Sequence, residues 1–153
     1  MSILMIREWL QGEYSITTDV NQLDLNIIHQ FLASSYWAKG LPLEVLQRSI
    51  QNSLIFGLYK GKQQIGFARL ITDHATFAYV ADVFILEPFR EQGLGKWLIE
   101  TIISYPELQG LRRWLLATKD AHELYRRFGF TELKNSDRLM EKWSPDVYQQ
   151  TGD

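Results

Sequence analysis

Residues 79–103, YVADVFILEPFREQGLGKWLIETII, decide the fold of this chain. In order, they indicate a buried strand, a short loop with two glycines and an amphipathic helix. Gly93 and Gly95 lie where the loop becomes the helix, and the first amides of a helix have no acceptor inside it. These amides lie at the positive end of the helix dipole, and glycine leaves them open to a ligand. The stretch therefore predicts an anion site, most simply for a phosphate or pyrophosphate.

The segments on either side of this stretch predict an α+β domain. Helices are expected after the N-cap Asp24, from Pro42, after the glycine loop and over Ala121–Phe128. Strands are expected at Tyr14–Thr17, Leu54–Tyr59, Gln64–Thr72, Thr76–Leu86 and Arg113–Ala117, with a last hairpin of Phe130–Lys134 and Leu139–Trp143. A right-handed crossover would place Arg113–Ala117 near Thr76–Leu86 and roughly parallel to it. The result is a mixed sheet of six to seven strands flanked by about four helices.

Composition excludes several classes of function. The net charge of −2 argues against nucleic acid as the main partner, because phosphate-backbone binding depends on clustered Lys and Arg. The chain has no cysteine, which excludes disulfides, thiolate zinc sites and a cysteine nucleophile. His29, His74 and His122 lack metal-binding spacing, so no metal is expected. No membrane span and no signal peptide are predicted, and we expect a cytoplasmic protein.

Two motifs together give the glycine loop a specific meaning. The glycine pair alone leaves open a turn that serves packing only. Residues 90–95, R-x-x-G-x-G, follow Pro88 and resemble the acetyl-CoA loop of the GNAT family of N-acetyltransferases. Residues 124–130, LYRRFGF, are similar to that family's later helix and strand, where a tyrosine lies four residues before a Gly-Phe pair. The resemblance extends over residues 14–143 and implies a single N-acetyltransferase domain over residues 1–153, with 143–153 as a loose tail.

The resemblance also implies where acetyl-CoA would bind. In the family's mostly antiparallel sheet, the strand before the loop carries a bulge and splays from its central parallel neighbour, and the pantetheine arm enters the gap. That arm would contact the backbone of Val83, Phe84 and Ile85, and an amide near Ile85 would polarise the acetyl carbonyl. The pyrophosphate would lie on the loop and helix start, at Arg90, Glu91, Gln92, Gly93, Leu94, Gly95 and Lys96. Asp120 is the nearest equivalent of a family asparagine that contacts CoA, and this departure puts that contact in doubt.

Tyr125 and Asp82 are the candidate catalytic residues. A phenol at Tyr125 would protonate or hydrogen-bond the departing thiolate, although a tyrosine on an amphipathic helix also packs for structural reasons alone. Asp82 interrupts an otherwise apolar strand, where a carboxylate is costly unless it is paired or used. It would take the proton from the acceptor's ammonium, directly or through water. The alternative is a structural pair with Arg69 on the neighbouring strand.

Tyr36, Trp37 and Asp73 are the candidate acceptor-binding residues. In the family the connection between the first two helices borders the acceptor cleft, where Tyr36 and Trp37 would hold a cationic or apolar group. The alternative for this aromatic pair is packing between the two helices. Asp73 lies at a predicted turn and would either line the cleft or form the turn.

These features predict direct transfer of an acetyl group from acetyl-CoA, as co-substrate, to a primary amine of a small molecule or peptide. The absence of cysteine excludes a ping-pong route through that residue. The alternatives are a non-catalytic acetyl-CoA-binding sensor or partner module and a structural protein that keeps the fold without the cofactor. The sequence does not reveal the acceptor, and the exposed C-terminal hairpin would offer a homodimer contact.

Overall fold

In the residues that the structure describes, six strands form one sheet in which each strand lies next to its neighbour in the chain. The computed structural model describes residues 5–149, and its strands are β1 Glu8–Gln11, β2 Tyr14–Thr17, β3 Leu54–Lys60, β4 Gln63–Thr72, β5 Phe77–Ile85 and β6 Arg113–Leu116. Neighbouring strands pair antiparallel except for β5 and β6, which are parallel. The predicted α+β class, the mostly antiparallel sheet and its parallel pair are therefore confirmed.

Within the described part of the chain, four α-helices cover the two faces of the sheet. They are α1 Leu25–Ser34, α2 Leu43–Gln51, α3 Leu94–Ile103 and α4 His122–Arg126. Successive side chains of β3 alternate between the faces, so that Phe56 packs in the α3 cluster and Ile55 in the cluster of α1 and α2. Asp24 caps α1 as predicted, because its Oδ1 accepts from the amide of Ile27 at 3.2 Å. Strands β3 and β4 are consequently covered on both sides, which explains their nearly continuous burial.

The predicted C-terminal hairpin of Phe130–Lys134 and Leu139–Trp143 is wrong. These residues contain no strand, and Ser136–Arg138 form a 3₁₀ turn instead. Met140 is 97% exposed and Trp143 is 72% exposed, so the segment buries too little apolar surface to stabilise a two-stranded ribbon. A groove of about 830 Å³ lies between this segment and β6. Within residues 5–149, β6 is therefore the last strand of the sheet.

The end of the described chain runs beside the loop between α1 and α2. Residues 143–153, predicted as a loose tail, lie partly outside the described residues. The described part ends with a 3₁₀ turn at Val147–Gln149. Tyr148 of this turn lies against Gly40, since a Cβ at Gly40 would be 3.4 Å from the Tyr148 carbonyl oxygen.

A bulge near the end of β5 opens a gap between β5 and β6. The register of β4 and β5 shifts here, so that Asp82 and Val83 oppose the single residue Ala68. Asp82 has a φ of +52°, in the left-handed region. Pairing of β5 with β6 stops at Val80, so residues 81–85 continue without a partner on the β6 side. The bulge and the splay that the resemblance implies are both present.

Candidate active site

The glycine loop begins where β5 ends and lies at the open end of the gap. A 3₁₀ turn at Glu87–Phe89 follows β5, and α3 begins at Leu94 with Gly93 as its N-cap. Gly93 has a φ of +79° and Glu91 a φ of +65°, and such turns direct neighbouring N–H groups toward a common point. Gly93 supplies a left-handed conformation that costs other residues energy, which explains a glycine at this position.

Six consecutive amides, those of residues 91–96, donate to no protein acceptor within residues 5–149. The first hydrogen bond into α3 comes from the amide of Trp97 to the carbonyl of Gly93, at 3.0 Å. The side chain of Leu94 is buried in the core, so only its backbone faces the loop. Unpaired donors at a helix N-terminus, together with the helix dipole, form a site for an anion. We call residues 91–96 the amide cradle.

Two side-chain contacts fix the amide cradle to the sheet. Arg90 Nε donates to the carbonyl oxygen of Ile85 at 2.9 Å, which ties the start of the loop to the end of β5. The hydroxyl of Tyr14 on β2 donates to Gln92 Oε1 at 3.0 Å. The structure thus brings the predicted loop residues and the end of β5 together, and it engages the Arg90 guanidinium with the backbone rather than leaving it free.

Tyr125 of α4 lies on the β6 side of the gap. Its side chain is 8% exposed, and its ring meets the ring of Phe130 edge-on, with centroids 5.7 Å apart. Burial, and secondarily the nearby Tyr36, raise the pKa of Tyr125 to about 12. The phenol therefore keeps its proton throughout the physiological range. No hydrogen-bond partner for its hydroxyl is found in residues 5–149, and Tyr125 borders the groove beside β6.

Asp82 is held by two partners at the bulge of β5. Arg69 Nε of β4 donates to Asp82 Oδ2 at 2.7 Å, and the indole N–H of Trp37 donates to Asp82 Oδ1 at 2.9 Å. The side chains of Asp82 and Arg69 are 11% and 16% exposed. The ion pair with Arg69 is the structural alternative that the sequence left open.

The loop between α1 and α2 crosses the gap. Trp37 reaches β5 through Asp82, whereas the hydroxyl of Tyr36 accepts from the amide of Lys119, just after β6, at 3.2 Å. The Lys119 ammonium lies 5.3 Å from the centre of the Tyr36 ring, a cation–π distance. Asp120 is exposed beside Lys119. Tyr36, Trp37, Asp82 and Tyr125 are therefore neighbours around one opening.

Comparison with known proteins assigns this arrangement to a family. Residues 51–132 match the family model described as an acetyltransferase (GNAT) domain. The chain belongs to the GNAT family. It is 30% identical to a Gibberella zeae protein named as a candidate acetyltransferase, over 91% of each chain. The family predicted from the resemblance is thereby confirmed.

Solved structures of GNAT proteins have the same fold. A candidate GNAT acetyltransferase from Xanthomonas campestris pv. campestris is 45% identical and superposes with a TM-score of 0.88, covering 90% of this chain and 97% of that chain. A GNAT acetyltransferase from Elizabethkingia anophelis, solved with acetyl-CoA bound, superposes with a TM-score of 0.62 at 16% identity, covering 88% and 90% of the two chains. The second likeness concerns the fold alone.

Asp73 lies at the far end of β5 from the other candidate residues of this GNAT domain. Its carboxylate accepts hydrogen bonds from the amides of Ala75, Thr76 and Phe77 and from the Thr76 hydroxyl, at 2.7–3.2 Å. The bonds from Thr76, then the other amides, hold the pKa of Asp73 well below its usual range. Its carboxylate bonds to the amide of Phe77, the first residue of β5. Five extended residues at about 3.3 Å each separate Phe77 from Asp82, which places Asp73 roughly 17 Å from Asp82. The structure does not bring Asp73 to the gap and gives it the turn-forming contacts.

Replacing Asp73 with alanine is expected to lower the thermal midpoint at neutral pH by a few degrees. The folded-state pKa is lowered, so the stabilisation is complete above the unfolded value of about 4 and is lost as pH falls below it. The difference in midpoint between wild type and variant should therefore shrink below about pH 4. Calorimetry at several pH values measures it. Asp137→Ala, at an exposed 3₁₀ turn, is the control, and an unchanged midpoint for Asp73→Ala would contradict the assignment.

Sequence reasoning did not find the contacts of Trp37 with Asp82 or of Tyr36 with Lys119. Both join residues far apart in the chain, and neither pair stands in a motif.

Among residues 5–149, no group of three or more His, Cys, Asp or Glu side chains is arranged to hold a metal. No helix in the same range is sufficiently long and apolar to cross a bilayer.

Proposed function

We propose that this GNAT protein transfers the acetyl group of acetyl-CoA directly to a primary amine. The observation that carries the proposal is the amide cradle at the open end of the gap between β5 and β6. The pyrophosphate of acetyl-CoA would accept from these amides, and a hydrogen bond to a charged group is worth about 1.5–3 kcal/mol. The acetyl-CoA in the Elizabethkingia anophelis structure supports the same co-substrate here.

The end of β5 would hold the pantetheine arm and the acetyl group. The amide of Leu86 donates toward β4, to the carbonyl of Ile65 at 2.8 Å. Because successive amides of a strand point in opposite directions, the amide of Ile85 points into the gap. It would donate to the acetyl carbonyl and stabilise the oxyanion that forms when the amine attacks. Holding amine and thioester in one gap supplies further acceleration through proximity.

The bond changes can be assigned to atoms. The amine nitrogen bonds to the acetyl carbon, the carbon–sulfur bond breaks, and CoA leaves as a thiolate. The Tyr125 phenol, with a pKa raised to about 12, is a weaker acid than an alkyl thiol of about 8.5. Tyr125 would therefore stabilise the thiolate by donating a hydrogen bond, without giving up its proton. The ammonium proton of the acceptor would leave to water at the mouth, because protonation of Asp82 would remove the charge that strengthens its bonds to Trp37 and Arg69.

Two measurements test the proposed function. Calorimetry should show binding of CoA and acetyl-CoA, and free thiol should appear when acetyl-CoA is mixed with a panel of amines, peptides and polyamines. Mass spectrometry should then find an amide product. If CoA does not bind, both the enzyme and the sensor are excluded. If CoA binds and no amine in the panel releases thiol, the non-catalytic acetyl-CoA sensor replaces the enzyme.

A further inference from the structure

The contacts of Asp82 form part of a polar chain through four elements. Arg69 on β4 donates from Nη1 to the hydroxyl of Ser53, before β3, at 3.2 Å, as well as from Nε to Asp82. Asp82 on β5 in turn accepts from Trp37 in the α1–α2 loop. A carboxylate that is mostly buried needs such partners, since an unpaired buried charge is strongly destabilising. The chain therefore joins the bulge of β5 to the loop above it.

The backbone geometry of the bulge suits an aspartate at position 82 whose carboxylate accepts hydrogen bonds from neighbouring side chains. A φ of +52° costs most residues about 1–3 kcal/mol and is tolerated best by glycine, asparagine and aspartate. Both carboxylate oxygens are used, one by the guanidinium and one by the indole. Each oxygen keeps a second lone pair, but a proton taken from an amine would neutralise the carboxylate and weaken both of these bonds. Its contacts thus fit a fixed acceptor of hydrogen bonds better than a proton acceptor.

The base of the α1–α2 loop is anchored by the buried residues Ala38 and Leu41 and by a contact of 2.7 Å between His29 Nε2 and the Leu41 carbonyl oxygen, whereas its tip depends on few contacts. The aromatic residues at its tip are partly in solvent: Tyr36 is 61% exposed and Trp37 is 42% exposed. The ring centroids of Trp37 and Phe31 are 6.2 Å apart, and Phe31 stacks on Phe84 of β5 with ring centroids 4.0 Å apart. Apart from these rings, the side-chain bonds that tie the tip to the sheet side are those of Trp37 to Asp82 and of Tyr36 to Lys119.

We propose that Asp82 is a positioning residue, which holds the indole of Trp37 and thereby fixes the Tyr36–Trp37 tip across the gap. The acceptor amine would enter beside this tip. The Trp37–Asp82 hydrogen bond, which we call the latch, would therefore set how the acceptor is oriented. That consequence rests on the proposed function, whereas the latch itself is a property of the fold. Asp82 thus governs acceptor binding through Trp37, and it is not the base.

The test compares Trp37→Phe with Asp82→Asn. Trp37→Phe removes the indole N–H and keeps an aromatic ring, while leaving the ion pair of Asp82 with Arg69. Asp82→Asn keeps an oxygen that accepts from Trp37 but removes the charge. Trp143→Phe, at a tryptophan that is 72% exposed, is the matched control. Hydrogen–deuterium exchange over residues 35–41 is measured together with kcat, the KM for the best amine of the panel, and the pH profile.

For Trp37→Phe we expect amide exchange in residues 35–41 to rise about tenfold, the order of one lost hydrogen bond to a charged group. The acceptor KM should rise about as much, with kcat and CoA affinity nearly unchanged. The acceptor amine must lose its proton before it attacks, so the wild-type rate should fall at low pH. This fall should persist in Asp82→Asn, with kcat within a few-fold of wild type. The control variant Trp143→Phe should leave the exchange of residues 35–41, the acceptor KM and kcat unchanged.

Two results would overturn the latch. Unchanged exchange in residues 35–41 of Trp37→Phe would show that the bond does not hold the loop. A kcat loss of 100-fold or more in Asp82→Asn, together with loss of the fall in rate at low pH, would show that Asp82 is the general base. Should the protein not bind CoA, the proposed function fails, and the exchange experiment still decides whether the latch exists.

Discussion

Gly93→Val is expected to weaken CoA binding about 5- to 30-fold, because binding must restore the left-handed turn that aims two cradle amides, at a cost of about 1–2 kcal/mol. Gly93 has a φ of +79°, and no atom lies within 4 Å of where its Cβ would be. A valine would therefore meet no clash, but a β-branched residue disfavours this conformation by about 1–2 kcal/mol. The backbone would relax toward negative φ and turn the amides of Gly93 and Leu94 away from the pyrophosphate. Calorimetric titration with CoA measures the loss.

Gly110→Val is the matched control for this substitution. Gly110 has a φ of +84° and equally open space around its Cβ position, and it lies beyond the opposite end of α3. The two variants should lose similar amounts of stability in a thermal unfolding measurement. Only Gly93→Val should lose CoA affinity. Retained affinity in Gly93→Val would place the pyrophosphate elsewhere.

Tyr125→Phe is expected to lower kcat about 100-fold, within the usual range for one general acid or hydrogen-bond donor. CoA affinity should stay within about twofold, because the ring keeps its contact with Phe130 and the lost hydroxyl has no partner in residues 5–149. With a pKa of about 12, the phenol stays protonated, so Tyr125 should cause no alkaline fall in wild-type kcat below about pH 11. Thiol release with the best amine of the panel measures kcat and its dependence on pH.

Tyr105→Phe controls for the loss of a buried tyrosine hydroxyl. Tyr105 is 1% exposed, and its hydroxyl likewise has no hydrogen-bond partner among the described residues. It packs between Trp9 and Phe56, away from the gap. This variant should keep full activity and equal or slightly greater stability. A Tyr125→Phe enzyme with kcat within threefold of wild type would remove Tyr125 from the mechanism.

The parts of the fold that the sequence predicted depend on neighbouring residues. The cap of α1 at Asp24 involves an amide three residues away, and the left-handed turn at Gly93 is a local property of glycine. The parallel pair follows from the order strand, helix, strand, since the crossover is right-handed. The contacts of Asp73 are also local, within four residues, and favour the turn that composition already indicated.

The parts that the sequence missed depend on residues distant in the chain. Trp37 and Asp82 are 45 positions apart, and their contact exists only because α1 and β5 pack together. The C-terminal hairpin failed for a related reason. Its two segments would have to pair with the outer edge of β6, but a groove separates them from that strand and their apolar side chains are largely exposed. Local pattern cannot supply either of these tertiary facts.

The amide cradle also bears on the choice of solution. Six donors that are unpaired within residues 5–149 would attract any small oxyanion, whether it is part of a nucleotide or a component of the buffer. Phosphate or sulfate would occupy the same donors and compete with the pyrophosphate of CoA. Affinities for this protein are therefore comparable only between buffers that lack such anions, and low ionic strength preserves the attraction of the helix dipole.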